Sequence, residues 1–444
     1  SAEQDRPYAI TQHTQRVRPI QPTGDSLYAV YLPIVTESLS VYTERQTAVP
    51  PRIAHELTLE VNAFGAVTKR GRVAYGHTDT NAPDEQKRTW LAVEEQSFFD
   101  HAATSGTDWY RHSVPLEAQA WELHPGHAKT GGDLYTVADL RGAFSLTAIN
   151  FDADLGLNTQ RRQLSHTKQR YTANDLGGPL LFGTVESLAL PYATYAKALT
   201  AAMFGTSYLN DAQSHVSDRL GEAGYTQVSG DATNYWAWTG HATYDATRFY
   251  QPTALTDVHG ATTTLAYDSA ALFVTTVTDA KSNVTTATID YRLLAPQKVV
   301  DINGNWTEAV FDELGRVTEL YVTGKNGEGD TPTSGDGPTV RYTYDLDRYA
   351  DFGLPARTKS ERRDTHATST PGWLIAYSYA DGSGHAVMTK ALAETGPAYG
   401  LDEHGALTLY TSPTTRWVGT GRTVVDNKGN PIKQYEPYFS ITEE

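Results

Sequence analysis

The sequence predicts a mainly β protein in which antiparallel strands and turns repeat along the chain. The first observation is an aliphatic or aromatic residue followed by Asp, which recurs with steps of 23, 22 and 22 residues at Tyr244-Asp245, Tyr267-Asp268, Ile289-Asp290 and Phe311-Asp312. The second is an Asp-x-x-Gly pattern, which recurs in phase from Asp257 to Gly260, Asp279 to Ser282 and Asp301 to Gly304. Two signals with one period indicate an array of supersecondary units that stack, because a single unit cannot bury its apolar face alone.

Each repeat is predicted to contain two strands and two turns. In Asp-x-x-Gly, the Asp carboxylate can accept hydrogen bonds from backbone N–H groups downstream, and the Gly can adopt a positive φ. The flanking segments Thr262–Tyr267 and Val284–Ile289 are rich in β-branched residues, which favours strands. We therefore expect a set of structural turn residues, namely Tyr244, Asp245, Asp257, Gly260, Tyr267, Asp268, Asp279, Asp290, Asp301, Gly304, Phe311, Asp312, Gly315 and Arg316.

Upstream of the repeats, the sequence predicts strands with less regular spacing. Residues His55–Val61 alternate apolar and polar, Asn62 to Gly65 supplies a turn, and Val67–Tyr75 returns, so this stretch is a degenerate member of the same repeat class. Other strands are predicted at Tyr28–Leu32, Ser38–Tyr42, Trp90–Phe99, Glu117–Glu122 and Leu164–Tyr171. Residues 78–87 and 125–133 are predicted to be surface loops.

One or two short helices are predicted between residues 187 and 222. From Ser187 to Phe204, apolar residues fall on one helical stripe, although Pro191 interrupts the segment near its start. A second helix is expected from Asp211 to Glu222, with Asn210 or Asp211 as its N-cap. We expect these helices to brace the sheet rather than to form a separate domain.

Downstream of the repeats, the Gly-, Pro- and Asp-rich stretch 324–338 is predicted to be a flexible loop. Strands are predicted to resume at Val340–Asp345 and to continue to the Tyr435–Ser440 motif. The chain is thus divided into 1–163, a degenerate β segment, 164–240, a β segment with the helical insertion, 241–323 with the regular repeats, the loop 324–338, and the further β segment 339–444. We expect these parts to form one continuous fragment, with cut points of a larger polypeptide at Ser1 and Glu444.

Composition narrows the classes of function. The 444 residues carry a net charge of −16, which disfavours nucleic-acid binding and attraction to an anionic membrane surface. The chain has no Cys, which excludes disulfides and thiolate chemistry. The first residues do not resemble a signal peptide, and no apolar run is long enough for membrane insertion.

The sequence nominates no catalytic, cofactor-binding or metal-binding residue. Neither Gly-x-Ser-x-Gly, a Walker A motif nor a zincin motif is present. His124 and His127 are interpreted as exposed turn residues because no third metal ligand is identifiable. Neighbouring carboxylates such as Asp152 and Asp154, or Glu94 and Glu95, are too common in an acidic chain to indicate acid–base catalysis. The eight Trp residues could form sugar-binding platforms, but in a β-sheet they are interpreted as packing anchors.

The repeats resemble the RHS/YD-repeat family, most fully from Val300 to Val317, where Asp-x-x-Gly is followed by an aromatic residue with Asp and by Gly-Arg. Four further stretches extend this resemblance to the B component of bacterial insecticidal toxin complexes (Tc toxins), namely His55–Gly65, Leu164–Thr167, Arg416–Gly421 and Asn427–Ser440. The resemblance covers most of the chain, from near Tyr28 to Ser440.

The resemblance implies a secreted, non-enzymatic structural role. In that family the B and C components close a shell of spiralling β-sheet around the toxic C-terminal region of the C component, and a β-propeller on B docks the shell on the A component. This chain shows neither a propeller nor the aspartyl-protease segment of the C component, so it would supply part of the wall only. The partner implied is the C component with its unfolded cargo, and the A component through parts not contained here.

Two other classes of function remain open at this stage. The chain could be an extracellular recognition or adhesion module that binds glycans or cell surfaces, as other YD-repeat proteins do. It could also be a carbohydrate-active enzyme, although the sequence nominates no pair of catalytic carboxylates.

Overall fold

The computed structural model describes residues 7–24, 27–43, 50–102, 107–200, 202–203, 219–332, 335, 337–426 and 431–444. It is mainly β, as predicted. The chain divides into two compact units, unit 1 from Ser1 to Thr262 and unit 2 from Thr263 to Glu444, which are described separately. The finer division into five segments stays a prediction. In the described part of the chain, no helix is sufficiently long and apolar to cross a membrane.

Unit 1 contains a large, almost entirely antiparallel sheet. Its strands are β1 (Ala9–Gln21), β2 (Val30–Tyr42), β3 (Arg52–Val61), β4 (Val67–Ala74), β5 (Trp90–His101), β6 (Arg111–Leu123), β7 (Thr147–Ile149), β8 (Gln160–Tyr171), β9 (Pro191–Leu199), β10 (Tyr225–Val228) and β11 (Asp231–Trp238). The spatial order is β1-β2-β3-β4-β5-β6-β8-β9-β11-β10, and β7 pairs with β8 in parallel. A hairpin of β12 (His241–Asp245) and β13 (Gln251–Thr256) follows.

Alternation along the strands of unit 1 places apolar side chains on one face. A short insertion between β6 and β7 covers this face with the helix α2 (Val137–Gly142) and a 3-10 helix (Ala143–Ser145). The only earlier helix in the described part of unit 1, α1 (Asp84–Lys87), connects β4 to β5. The buried cluster consists of Leu57, Leu59, Val73, Leu91, Val93, Trp121, Leu123, Tyr135, Leu140 and Ala143. Thr136 and Asp139 form a capping box at the start of α2, so the helix presents Leu140 to the sheet in a fixed orientation.

The opposite face of the same strands is charged. The strand register aligns one row across β3, β4, β5, β6 and β8, namely Glu56, Arg72, Ala92, Glu122 and Arg162. Arg72 pairs with Glu56 at 3.1 Å, and Arg162 pairs with Glu122 at 2.5 Å. Charges of opposite sign on neighbouring strands favour this register, although the exposed pair of Arg72 and Glu56 contributes little to stability by itself.

The predicted helix from Ser187 to Phe204 is wrong over its central part, because Pro191–Leu199 is strand β9. Burial alternates along this strand, with Ala193 and Tyr195 packed inward. An apolar, Ala-rich segment is compatible with both the helical and the strand periodicity. Because β8 and β11 hydrogen-bond to β9 on its two sides, the sheet decides that this segment is a strand. The second predicted helix lies mostly outside the described residues, at positions 211–218.

Unit 2 is a long meander. Its strands are β14 (Thr262–Tyr267, of which Thr262 closes unit 1), β15 (Val274–Thr278), β16 (Val284–Asp290), β17 (Ala295–Val300), β18 (Trp306–Phe311), β19 (Val317–Thr323), β20 (Val340–Asp345), β21 (Ala356–Arg363), β22 (Trp373–Ala380), β23 (Ala386–Ala393), β24 (Ala398–Leu401), β25 (Leu407–Tyr410), β26 (Arg416–Thr420), β27 (Thr423–Val425), β28 (Pro431–Gln434) and β29 (Tyr438–Ser440). Strands β14 to β23 are neighbours in chain order, and β26, β29, β24 and β25 follow. Strands β27 and β28 form a separate hairpin. A 3-10 helix (Lys325–Gly327) and α3 (Arg348–Phe352) lie between strands.

The loop predicted at 324–338 is anchored by a fully buried carboxylate. Asp330 accepts hydrogen bonds from the Thr339 hydroxyl at 2.8 Å and from the backbone N–H of Ala367 at 2.9 Å. It also lies 3.4 Å from the buried guanidinium of Arg363 and 2.6 Å from Nδ1 of His366. These contacts keep the pKa of Asp330 below its usual range, although burial opposes them.

Candidate functional site: the stacked corners of the repeats

The three Asp-x-x-Gly turns share one hydrogen-bond pattern. In each, Oδ1 of the Asp accepts from the backbone N–H groups two and four residues downstream at 2.8–2.9 Å, at Asp257, Asp279 and Asp301. The residue at the Gly position donates its N–H to the Asp carbonyl. Gly260 and Gly304 have φ of 83° and 81°, and Ser282 is forced into the same left-handed region at 66°. The Asp side chain therefore supplies acceptors that the tight turn cannot obtain from its own backbone.

The same turn occurs elsewhere in the chain. Asn62 forms it in unit 1, and Asp381 and Asp402 form it in unit 2. Asp312 forms it as well, with Gly315 at a φ of 81°. The fourth aromatic-Asp position thus contains an Asp-x-x-Gly turn, which is tighter than the corners at the earlier positions.

The other aromatic-Asp or aliphatic-Asp corners are wider and use a left-handed residue other than Gly. At Asp268, Oδ1 accepts from Leu272 and Phe273, and Ala271 has a φ of 54°. At Asp290, Oδ1 accepts from Arg292 and Leu293, and the left-handed residue is Leu294. Asp245 caps its corner through the backbone and hydroxyl of Thr247, and Tyr250 is left-handed there.

Side chains join successive corners of unit 2. The hydroxyl of Tyr291 donates to Oδ2 of Asp268 at 2.5 Å, which connects the second corner to the first. The guanidinium of Arg292 donates to the carbonyls of Asp312 and Glu313 at 2.9 Å, which connects the second corner to the third. A Cβ added at Gly315 would lie 2.6 Å from Cδ2 of Leu293, so a larger residue would displace the Leu293 side chain, and the φ of 81° at Gly315 also favours glycine.

The third corner is joined to the next in the same way. Arg316 pairs with Asp312 at 2.7 Å, and its guanidinium lies 4.6 Å from the ring centre of Tyr344. The hydroxyl of Tyr344 donates to the carbonyl of Val317 at 2.8 Å. In unit 1, the motif tyrosine of the Asp245 corner, Tyr244, donates to the carbonyl of Pro191. Tyr291, Arg292 and Tyr344 were not among the predicted site residues, and their positions 20 or more residues from their partners gave no local signal.

Hydrogen bonding lowers the pKa of four turn and corner carboxylates, those of Asp268, Asp279, Asp301 and Asp312, below 3.8. The largest cause is the Tyr291 hydroxyl for the pKa of Asp268, and the side-chain amides of Asn283 and Asn305 for those of Asp279 and Asp301. For Asp312, the largest contribution to the lower pKa comes from the backbone N–H of Arg316. The carboxylates therefore remain ionised acceptors at neutral pH.

The residues that could suggest catalysis are placed apart or engaged in structural contacts. His127 is buried, which corrects the prediction that it is exposed, and its Nε2 lies 3.0 Å from the carbonyl of Asp139. His124 accepts from the N–H of Gly126, so the two imidazoles have separate partners. Asp152 accepts from the hydroxyl of Thr200. Within the described ranges, no group of three His, Asp or Glu side chains is arranged to hold a metal ion.

A shallow groove of about 610 Å³ lies on the charged face of unit 1. Its floor contains Ala54, Ala74 and Ala92, whose small side chains interrupt the charged rows. Trp90 borders the groove and is half-exposed, with the Arg88 guanidinium 4.4 Å from its ring centre. Trp121, Trp236 and Trp417 are buried, which agrees with their predicted role as packing anchors. Trp90 is half-exposed and does not have this role.

Comparisons with known proteins agree with this architecture. The model of the family described as insecticide toxin TcdB, middle/C-terminal region, matches residues 1–109. The crystal structure of TcdB2-TccC3 matches the chain with a TM-score of 0.74 and 25% identity, over 100% of this chain and 23% of that chain. The Tc holotoxin pore of Photorhabdus luminescens matches with a TM-score of 0.73 and 23% identity, over 100% of this chain and 24% of that chain.

The chain thus spans about a quarter of the length of these solved structures. Among curated protein sequences, none matches it. The family match in its first 109 residues and the fold match over its whole length agree with each other. The predicted resemblance of this chain to the B component of bacterial insecticidal toxin complexes is therefore confirmed.

Proposed function

We propose that this chain is a wall segment of a toxin-complex shell, which encloses and protects the cytotoxic C-terminal region of a partner C component before translocation. The observation that carries the proposal is the fold likeness to TcdB2-TccC3 over the full length of the chain. The A component would be a further partner, reached through other parts of the B component. The complex would act outside the bacterial cell as a secreted toxin.

The way the molecule is held together supports a wall. In unit 2, backbone ladders run from strand to strand, and the corners are joined by Tyr291, Arg292 and Tyr344. A sheet built in this way keeps its shape without a thick apolar core. It can therefore extend in one direction by adding repeats, because each repeat contacts mainly its neighbours.

The charged face of unit 1 suits contact with an unfolded guest. Its exposed side chains form ion pairs with one another, as in Arg72 with Glu56, and its apolar groove is shallow. An unfolded chain would make many weak contacts with such a face and would have few pockets in which to bind tightly. This supports a lining that holds a guest without trapping it, and we propose no catalytic role for it.

Reconstitution with a C component tests the proposal. The chain, within its complete B component, is co-expressed with the C component, and the product is examined by electron microscopy and by limited proteolysis. We expect a closed hollow particle in which the C-terminal region resists protease until the particle is unfolded. A solid globule, or a C-terminal region that is digested as fast as in the isolated C component, would contradict the proposal. Binding of glycans by the chain alone would favour an adhesion module instead.

A further inference from the structure

The corners at one end of the repeat strands expose large apolar side chains. Because neighbouring strands of unit 2 run antiparallel, the connections that follow β14, β16, β18 and β20 all lie at the same end of these strands. Each connection exposes one leucine, at Leu272, Leu294, Leu314 and Leu346. The contacts that join successive corners hold these connections side by side.

Helix α3 extends this row. It follows Leu346 and exposes Tyr349 and Phe352, which are 76% and 72% accessible. We call the six residues Leu272, Leu294, Leu314, Leu346, Tyr349 and Phe352 the apolar rim. A run of exposed large apolar side chains on a soluble protein indicates an interaction surface, because it would otherwise order water or cause aggregation.

The opposite end of the same strands differs in chemistry. The turns 279–283 and 301–305 expose Lys281, Ser282 and Asn303, together with the apolar Ile302. The turn from Asp312 to Arg316, at the apolar end, has the same Asp-x-x-Gly hydrogen bonds as these two turns but exposes Leu314. The apolar character therefore does not follow from the turn geometry, and it belongs to the connections after β14, β16, β18 and β20, because the turn 381–385, which follows β22 at the same end, is polar.

Acidic side chains surround the apolar rim. Glu313, Asp347 and Asp351 are exposed beside its leucines and aromatic residues. The cations of the same corners are engaged within unit 2, because Arg292 donates to two carbonyls and the buried Arg348 pairs with Asp345. A complementary surface would thus combine apolar side chains with Lys or Arg. A second copy of this chain, with its net charge of −16, is a poor complement.

We propose that the apolar rim is a docking surface for the C component, which would contribute an apolar segment flanked by Lys or Arg. This inference rests on the proposed function, which names the C component as partner. The chain spans only 23% of the TcdB2-TccC3 relative, so most of the surface available to cover such a rim lies in other segments. The rim would select its partner by apolar fit and would align it by charge.

Two sets of variants test the rim in the complete B component. The rim variant combines Leu272→Ser, Leu294→Ser and Leu314→Ser. The matched control combines Ile302→Ser, Leu374→Ser and Leu407→Ser, which are exposed residues of the same unit away from the rim. Because all six residues are exposed, circular dichroism and thermal unfolding are expected to stay close to those of the unmodified protein. Affinity for the purified C component is measured by titration.

We expect the rim variant to bind the C component about a hundredfold more weakly, since three leucines lose their burial, and the control to bind normally. A charge variant with Glu313→Lys, Asp347→Lys and Asp351→Lys should also bind more weakly, and more so at low salt. Equal binding by the rim variant would overturn the inference while leaving the proposed function intact. Failure of the unmodified B component to bind the C component would overturn both. Self-association that the rim variant abolishes would assign the rim to a second copy and would also overturn the inference.

Discussion

The two units of this chain are held together by different means. In unit 1, α2 and its neighbours cover one face of the sheet, and Leu140 is fully buried against it. In the described residues, both clusters of buried apolar side chains lie in unit 1. Unit 2 instead buries polar groups such as Asp330, Arg363 and Lys390 and joins its corners by hydrogen bonds.

The difference shows how a sheet of repeats can be stable without a second layer of helices or strands packed on its face. An apolar core gives non-directional stability, so the strands of unit 1 tolerate irregular loops and an insertion between them. Hydrogen-bonded corners are directional, so the strands β14 to β19 of unit 2 keep a nearly constant period. The following experiments ask whether each unit depends on its own means of stabilisation.

The largest effect is expected at the buried carboxylate of unit 2. Replacement Asp330→Ala should lower the free energy of unfolding of unit 2 by about 3–5 kcal/mol, because it leaves the buried Arg363 guanidinium without its carboxylate. Chemical denaturation followed by hydrogen exchange would assign the loss to unit 2. Glu328→Ala, at an exposed residue of the same loop, should change stability by less than about 0.5 kcal/mol. Equal effects of the two substitutions would contradict the assigned role of Asp330.

A cavity in the core of unit 1 should rank next. Leu140→Ala is expected to cost about 2–4 kcal/mol, because Leu140 is fully buried between α2 and the sheet. Leu157→Ala, at an exposed leucine of the same unit, serves as the control. Hydrogen exchange should show faster opening in unit 1 and unchanged protection in unit 2. A uniform loss over the whole chain would show that the two means of stabilisation are coupled.

A left-handed turn residue offers a gain rather than a loss. Ser282→Gly should stabilise unit 2 by about 1 kcal/mol, because Ser282 has a φ of 66° where a Cβ is unfavourable. The reciprocal change Gly304→Ser, at the equivalent position of the next repeat, should destabilise by a similar amount. Thermal unfolding measures both. If the two substitutions shift the melting temperature in the same direction, turn strain does not limit the repeats.

The pH dependence should be the most distributed effect, with a small contribution from each of four carboxylates in the turns and corners of unit 2. The pKa values of Asp268, Asp279, Asp301 and Asp312 are lowered in the folded protein from 3.8. Their contribution is therefore fully present above pH 3.8 and is lost as the pH falls through the lower folded values. We expect the melting temperature of unit 2 to be flat above pH 5 and to fall below pH 3.8.

A double variant sharpens this test. Asp279→Asn with Asp301→Asn removes two titrating groups and keeps an acceptor at each turn, as Asn62 does naturally. The decline below pH 3.8 should then be shallower than in the unmodified protein. An unchanged slope would show that other carboxylates govern the acid response.

Much of this architecture was predictable because its signals are local. Asp-x-x-Gly and aromatic-Asp specify turns through side chains that bond within five residues, so their spacing predicted the β class and the positions of most strands of unit 2. The strands around Leu57 and Leu91 were predictable because period-two alternation reports a half-buried sheet. The family resemblance followed from the same motifs.

The errors arose where local signals were ambiguous. Strand β9 was predicted as a helix because Ala-rich apolar residues satisfy both periods, and its neighbours in the sheet decided the outcome. His127 was predicted to be exposed because a Gly-rich loop is usually on the surface, whereas its imidazole is buried beside Asp139. Neither environment is encoded within a few residues of the position concerned.

The sequence by itself determined the period, the turn residues and the β class of this protein, because each depends on backbone geometry and on hydrogen bonds between residues close in the chain. Only the tertiary structure decided which corners touch, that Tyr291 binds Asp268 and Arg292 binds the carbonyls of the next corner, and that one end of the repeat strands is apolar. These contacts join residues 20 or more positions apart, so they form only after the strands have paired. From Tyr244 to Arg316, the sequence thus predicts the individual turns, and the tertiary structure shows how the corners are joined by side chains.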